Sequence, residues 1–295
     1  MTAVNYVGRF APSPTGALHF GSLLAALASF LDARANQGQW LLRIEDLDPA
    51  REQSGVKSDF PRVLEAFGLN WDGPVVLQSE RLPLYEAALE TLRSNHLTYP
   101  CSCSRKEIRL RTSSTLYDRH CLTHGPEASK PLGYRLISCA GGCCFNDRIQ
   151  GTRCFDLQQD SGDYILKRRD GLFAYQLAVV VDDHLQGVTH VVRGCDLINE
   201  TPRQIQLQHY LGYTTPDYAH IPVASNQAGQ KLSKQTAATA LDITRPAQQL
   251  VRALQHLDQS PPAELLTEEA ATIIAWAIQH WCPENIRRVE RKSVF

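Results

Sequence analysis

Alternating strand and helix signals over the first third of the chain constrain the fold more than any other feature. Val4–Phe10 reads as a strand and APSPTG as a loop. From His19 to Asn36 (HFGSLLAALASFLDARAN) apolar residues recur at helical spacing and stop just before Gly38. Trp40–Ile44 is the next strand, with Glu45 and Asp46 at its carboxyl end, and helices follow near Ser58–Phe67 and Pro83–Ser94. A βαβα run of this kind predicts a doubly wound parallel sheet.

The rhythm breaks from about 98 to 168, a stretch with several glycines and seven of the chain's nine cysteines, which reads as an inserted domain. It then resumes. Leu177–Val181 is expected as a fully apolar strand, Thr189–Arg193 as another, Thr201–Leu211 as a helix and Tyr218–Ala224 as a strand. Helices are expected at Pro246–Leu257 and Thr267–Trp281, and the mildly basic tail ENIRRVERKSVF as a solvated helix end. The expected division is an α/β domain in two halves, 1–97 and 169–225, split by the insertion 98–168 and followed by a loop and small helical subdomain, 226–295.

A length of 295 residues suits about two domains and a sizeable core. No apolar run approaches the roughly 20 residues of a membrane span, and MTAVNYVGRF lacks the basic and apolar regions of a signal peptide. Nine cysteines, an odd number spread along a long chain, suit a reducing cytosol better than a disulfide framework. The net charge of −1 does not support an RNA partner, though a locally basic face is compatible with it.

A strand, a Pro/Gly loop and a helix start are the parts of a phosphate site, because free N–H groups and the positive end of the helix dipole meet there. Gly16 and Gly21 allow close approach of a ligand, and His19 and Ser22 would face the same place. A plain strand–helix turn with an exposed histidine would leave the same trace.

RFAPSPTGALHFGS resembles the signature of class I aminoacyl-tRNA synthetases, and of glutamyl-tRNA synthetases in particular. RIEDLDPAR at Arg43–Arg51 is similar to that family's second segment, and AYQLAVVVDDHLQGVTHVVRGCDLINETPRQ at Ala174–Gln204 to its long block after the insertion. KLSKQ at Lys231–Gln235 stands where the family has KMSKS, with Leu232 in place of methionine, a volume-conserving swap. The resemblance implies a Rossmann-type catalytic domain that activates glutamate with ATP. The α-carboxylate attacks the α-phosphorus, pyrophosphate leaves, and the glutamyl group passes to an acceptor hydroxyl. Such steps rest on positioning and charge stabilisation, which explains motifs made of donors and cations.

On this resemblance His19, Lys231 and Lys234 are the catalytic candidates, and Pro12, Gly21, Ser22, Leu232 and Ser233 join them around ATP, with Mg2+ as its companion ion. Glutamate has two carboxylates and one ammonium. Arg9 and Arg193 suit the carboxylates by their planar forks, and Glu45 suits the ammonium. The resemblance adds Ala11, Ser13 and Tyr175 to the pocket.

Cys101-x-Cys103 and Cys121 suggest a structural Zn2+, and chemistry alone would take His124 as fourth ligand. The resemblance to short synthetase-like proteins points instead to Cys101, Cys103, Tyr117 and Cys121, with His124 in reserve; buried free thiols are the alternative. Cys139, Cys143, Cys144 and Cys154 are expected as free thiols or a second site.

Sixty residues follow Gln235, where glutamyl-tRNA synthetases continue into helical anticodon-reading domains. The length, DLINETPRQ and the C-x-C…Y-x-x-x-C spacing make the chain similar to the glutamyl-Q tRNA(Asp) synthetases. The resemblance implies a cytoplasmic enzyme that activates L-glutamate without tRNA and attaches it to queuosine in the anticodon of tRNA(Asp), with no DNA or membrane partner. A truncated enzyme charging tRNA(Glu) and an inactive binding module are the alternatives.

Overall fold

The computed structural model describes residues 5–114, 116–226 and 239–293. The first strand, β1 (Val7–Phe10), enters α1 (Phe20–Ala35) and returns as β2 (Gln39–Ile44), parallel to β1. The tight return passes through Gly38, where a Cβ would run into the Tyr6 carbonyl. The two-residue strand β3 (Val76–Leu77) adds to β2 in parallel, after α2 (Val56–Ala66). On the other side of β1, the Thr189 N–H donates to the Val7 carbonyl at 2.9 Å and sets β9 (His190–Gly194) beside it. β10 (Asp217–Ile221) pairs with β9 in parallel. The strand order is therefore β3-β2-β1-β9-β10, and it reverses between β1 and β9, where ligands bind in open α/β sheets.

Helices cover the sheet in two layers. α1, with Leu23, Leu27 and Leu31 buried, packs with β1, β2, α9 (Pro246–His256) and α10 (Ala270–His280) in one apolar cluster. α3 (Leu82–Ser94), α7 (Tyr175–Leu185) and α8 (Thr201–Leu211) form the second cluster.

Leu177–Val181 is thus not a strand. It lies inside α7, which is buried at every position from 176 to 183. A short apolar run carries no period, and a helix buried on all sides has the composition of a buried strand. The expected strand Tyr218–Ala224 divides at Pro222 into β10 and β11 (Val223–Ser225). The tail is not a helix end, because β12 (Arg291–Ser293) pairs in parallel with β11.

The segment 98–168 contains two separate structures. β4 (Thr98–Cys101), β5 (Gly133–Leu136) and β8 (Ile165–Lys167) form an antiparallel sheet that carries α4 (Arg105–Thr112) and α5 (His120–His124). The hairpin of β6 (Gly142–Asp147) and β7 (Gly151–Asp156) packs instead against β10, where Arg148 N–H donates to the Tyr218 carbonyl at 2.9 Å. After β7 come α6 (Leu157–Asp160) and β8. Asp32 of α1 ties hairpin, sheet and tail together: it accepts from Tyr6, from Arg148 at 2.6 Å and from Trp281 at 3.0 Å.

Cys144 and Cys154 are joined in a disulfide, which corrects the expectation of free thiols at these two positions. They are register partners across β6 and β7 with Cα atoms 4.1 Å apart, a proximity created by the hairpin rather than by sequence spacing. Cys139 and Cys143 remain free thiols. Among the described residues no helix is long and apolar enough to cross a membrane.

Candidate active site

A cavity of about 430 Å³ opens at the carboxyl ends of β1 and β9. Arg9, Ala11, Ser13, His19, Gly21, Ser22, Glu45, Tyr175 and Arg193 all line it. Residues from β1, the following loop, the start of α1, the end of β2, the start of α7 and β9 thus meet in one volume. Pro12 lies outside that lining, although its carbonyl accepts the Glu45 N–H at 3.0 Å and ties the loop to β2.

His19 is the N-cap of α1. Its Nδ1 accepts the Gly21 N–H at 3.1 Å, and Ser22 Oγ accepts the His19 N–H at 3.4 Å. This reciprocal box explains why the helix starts here, and it keeps both side chains at the positive end of the helix dipole.

The two arginines differ in charge balance. Arg9 forms a two-pronged ion pair with Asp183 of α7, at 3.2 and 3.4 Å. Asp183 also accepts from Arg43 at 2.7 Å, and Arg43 is fully buried. Burial opposes the charge on Asp183, but Arg9 and Arg43 outweigh it and hold the carboxyl below its usual range. Arg193, 4 % exposed, is held by neutral acceptors instead. These are His220 Nε2 at 3.0 Å, the Tyr175 hydroxyl at 3.3 Å, Thr201 Oγ1 at 2.8 Å and the Leu197 carbonyl at 3.4 Å. No carboxylate among the described residues lies within ion-pair distance of Arg193. A buried cation with no carboxylate partner among the described residues is suited to an anionic ligand.

Glu45 is the complementary case. Burial pushes its carboxyl up to about 7, against the pull of Arg43 and Arg9, and Asp183 and Asp182 add to the rise. A ligand ammonium beside it would supply positive charge and favour the ionised form.

The segment 227–238, with Lys231, Leu232, Ser233 and Lys234, lies outside the described residues. Its neighbours on both sides are at the cavity. Val223 and Ala224 line it, and Ala240 bridges to His19.

In the antiparallel sheet, the sulfurs of Cys101, Cys103 and Cys121 gather within 4.8 Å of one another. The Tyr117 hydroxyl lies 3.3 Å from Cys101 Sγ and 3.6 Å from Cys103 Sγ. Arg135 Nε donates to Cys101 Sγ at 3.2 Å and an Arg111 nitrogen to Cys103 Sγ at 3.4 Å. The His124 ring instead meets Thr123 Oγ1 at 2.7 Å and the His120 carbonyl at 3.2 Å, both through Nδ1. This donor set fits a thiolate-binding cation such as Zn2+. Among the described residues, Cys139, Cys143, Cys144 and Cys154 form no such group.

The profile of class I tRNA synthetases (E and Q), catalytic domain, matches residues 5–254. A glutamyl-Q tRNA(Asp) synthetase of Dechloromonas aromatica is 50 % identical over 289 residues, covering 96 % of each chain. The chain belongs to the glutamyl-Q tRNA(Asp) synthetase family. A glutamyl-Q tRNA(Asp) synthetase of Serratia proteamaculans is 48 % identical over 291 residues, covering 98 % of this chain and 94 % of its own. In fold, the chain is similar to the glutamate-tRNA synthetase of Elizabethkingia anophelis, with a TM-score of 0.81 at 22 % identity, covering 97 % of this chain and 67 % of that one.

In this glutamyl-Q tRNA(Asp) synthetase family member, several residues that support or line the cavity stand inside the resembling segments but carried no expected role. Asp183 and Asp182 stand in an apolar run, VVVDDH, and two acids in such a run signal buried ion pairs only when the run is known to be a helix. Arg51, at the end of RIEDLDPAR, and Asp196 also line the cavity. Asp147 and His220 belong to no quoted motif.

Proposed function

We propose that the chain activates L-glutamate with ATP, without tRNA, and transfers the glutamyl group to queuosine in the anticodon of tRNA(Asp), a reading supported by relatives named glutamyl-Q tRNA(Asp) synthetase. A carboxylate oxygen of glutamate attacks the α-phosphorus, the bond to the β-phosphate breaks, and pyrophosphate leaves. An acceptor hydroxyl then attacks the carbonyl of the mixed anhydride, the C–O bond to the phosphate breaks, and AMP leaves with the bonding electrons and takes up the hydroxyl proton. Glu45 holds the ammonium, and Arg193 with Tyr175 a carboxylate. Arg9, paired with the Asp183 that Arg43 shares, takes part in carboxylate binding, with Ala11 and Ser13 in the wall. The α1 start, with Pro12, His19, Gly21 and Ser22, takes the phosphates. Lys231 and Lys234, in a loop with Leu232 and Ser233, follow the charge on pyrophosphate, and Mg2+ accompanies ATP.

The observation that carries this reading is the 430 Å³ cavity, in which an uncompensated Arg193 and a charge-poised Glu45 share one volume with the helix start of HFGS. In the same reading Cys101, Cys103, Tyr117 and Cys121 hold one structural Zn2+ in an inserted subdomain 98–168, α9 and α10 belong to a small helical subdomain 226–295, and the protein works in the cytoplasm.

Two assays test it. Glutamate-dependent ATP–pyrophosphate exchange should proceed without any tRNA. Labelled glutamate should then appear on queuosine-containing tRNA(Asp), and on neither queuosine-free tRNA(Asp) nor tRNA(Glu). Label on tRNA(Glu) would assign the chain to ordinary charging.

A further inference from the structure

The β6–β7 hairpin reaches the candidate site without lining its cavity. Asp147 closes β6, and its side chain is fully buried against β10. Its Oδ1 accepts the backbone N–H groups of Ile149 at 3.0 Å, Gln150 at 2.7 Å and His220 at 3.1 Å. Its Oδ2 lies 2.5 Å from Nδ1 of the fully buried His220. The other ring nitrogen lies 3.0 Å from Arg193 Nε.

The proton positions follow from these partners. A guanidinium Nε always carries hydrogen, so His220 Nε2 can only accept. The one hydrogen of a neutral ring then sits on Nδ1, pointing at a carboxylate that three backbone donors hold in place. Burial lowers the His220 pKa to about 4, with the Asp147 bond opposing, so the ring is neutral around pH 7. A neutral acceptor has one advantage over a carboxylate at this point: it fixes the guanidinium without cancelling its charge.

The geometry points to Asp147 and His220 as positioning residues for glutamate binding: Asp147 sets the Nδ1–H tautomer of His220, and His220 sets the rotation of Arg193 that keeps its Nη1 beside Tyr175 in the cavity. This rests on the assignment of Arg193 to a substrate carboxylate. Three elements thereby act on one substrate contact, while Thr201 and Leu197 hold the adjacent Nη2, with Thr201 Oγ1 also 3.3 Å from His220 Nε2.

Three substitutions and one spectrum test it. Asp147→Asn preserves an oxygen for the backbone donors but offers an NH2 to the ring. The ring hydrogen must then move to Nε2, against Arg193 Nε–H, the wrong-tautomer effect known for Asp→Asn beside a catalytic histidine. In ATP–pyrophosphate exchange the KM for glutamate should rise about tenfold or more while the KM for ATP stays within about twofold. His220→Asn, which reaches Asp147 but not Arg193, should behave likewise. His220→Gln, whose Oε1 can still accept from Arg193, should keep the glutamate KM within about threefold of the unmodified protein. Nitrogen-15 spectra of histidine-labelled protein should show His220 protonated on Nδ1 and bare on Nε2. A ring protonated on Nε2, an unchanged glutamate KM in Asp147→Asn or His220→Asn, or an ATP KM rising in step would overturn the inference. If Asp147→Asn does not fold, the ring spectrum and the His220 pair decide. If the unmodified protein shows no glutamate-dependent exchange, the reading of the site fails, and the spectrum still tests the tautomer.

Discussion

Glu45 shows how far a residue's chemistry is set by its neighbours. Its position at the carboxyl end of β2 could be read from the sequence, because a strand ending in charged residues is easy to see. Its raised pKa could not, since burial and the nearby Asp183 and Asp182 raise it against the pull of Arg43 and Arg9, and three of these four residues lie on other elements. The consequence is a pH dependence of known sign. In the proposed reading the ionised form binds the glutamate ammonium, so affinity should be complete well above pH 7 and be lost as pH falls through about 7. The glutamate KM in exchange should rise by roughly tenfold between about pH 8 and about pH 6. Glu45→Gln should raise it at pH 8 and flatten the profile; a profile that keeps its slope in that variant would assign the titration elsewhere.

At the scale of elements, the informative error is α7. Its apolar run suggested a strand because nothing within the run distinguishes the two states. As a helix it places Asp182 and Asp183 against the sheet, where Asp183 is shared by Arg9 of β1 and Arg43 of β2. Asp183→Asn keeps the shape and removes the charge, leaving two buried arginines with weaker partners. It should lower unfolding stability by about 3–5 kcal/mol, as loss of one member of a buried ion pair does. Urea titration measures this, and a loss under about 1 kcal/mol would mean that Asp182 and Glu45 take over the countercharge. By contrast α1 was legible almost residue for residue, because its cap, period and stop all lie within one continuous stretch.

For the whole molecule, the cysteine-bearing sheet has only a small apolar cluster of its own. It is built around Tyr99, Cys101, Ile108, Tyr117 and Cys121, and these include two of the gathered thiols. A structural metal there would add stability that so small a core cannot. The purified protein should carry about one zinc per chain. Chelation should lower the Tm by several degrees, and Cys103→Ser should reduce both zinc content and Tm. Unchanged Tm on complete removal of metal would leave the thiols as ordinary core residues.

Taken alone, the sequence determined the parallel α/β class, the strand–loop–helix junction at His19 and the C-x-C pair. Each of these is written in a local window, as a period, a cap or a short spacing. Which charges compensate each other depends on packing between distant segments. Arg9 and Asp183 are 174 residues apart and Asp147 and His220 are 73 apart, so no window contains either pair. The same holds for Cys144 facing Cys154 across a hairpin and for β12 joining β11. The physical reason is that the energy of a buried charge depends on what surrounds it once water is excluded. That surrounding exists only after distant segments have packed together.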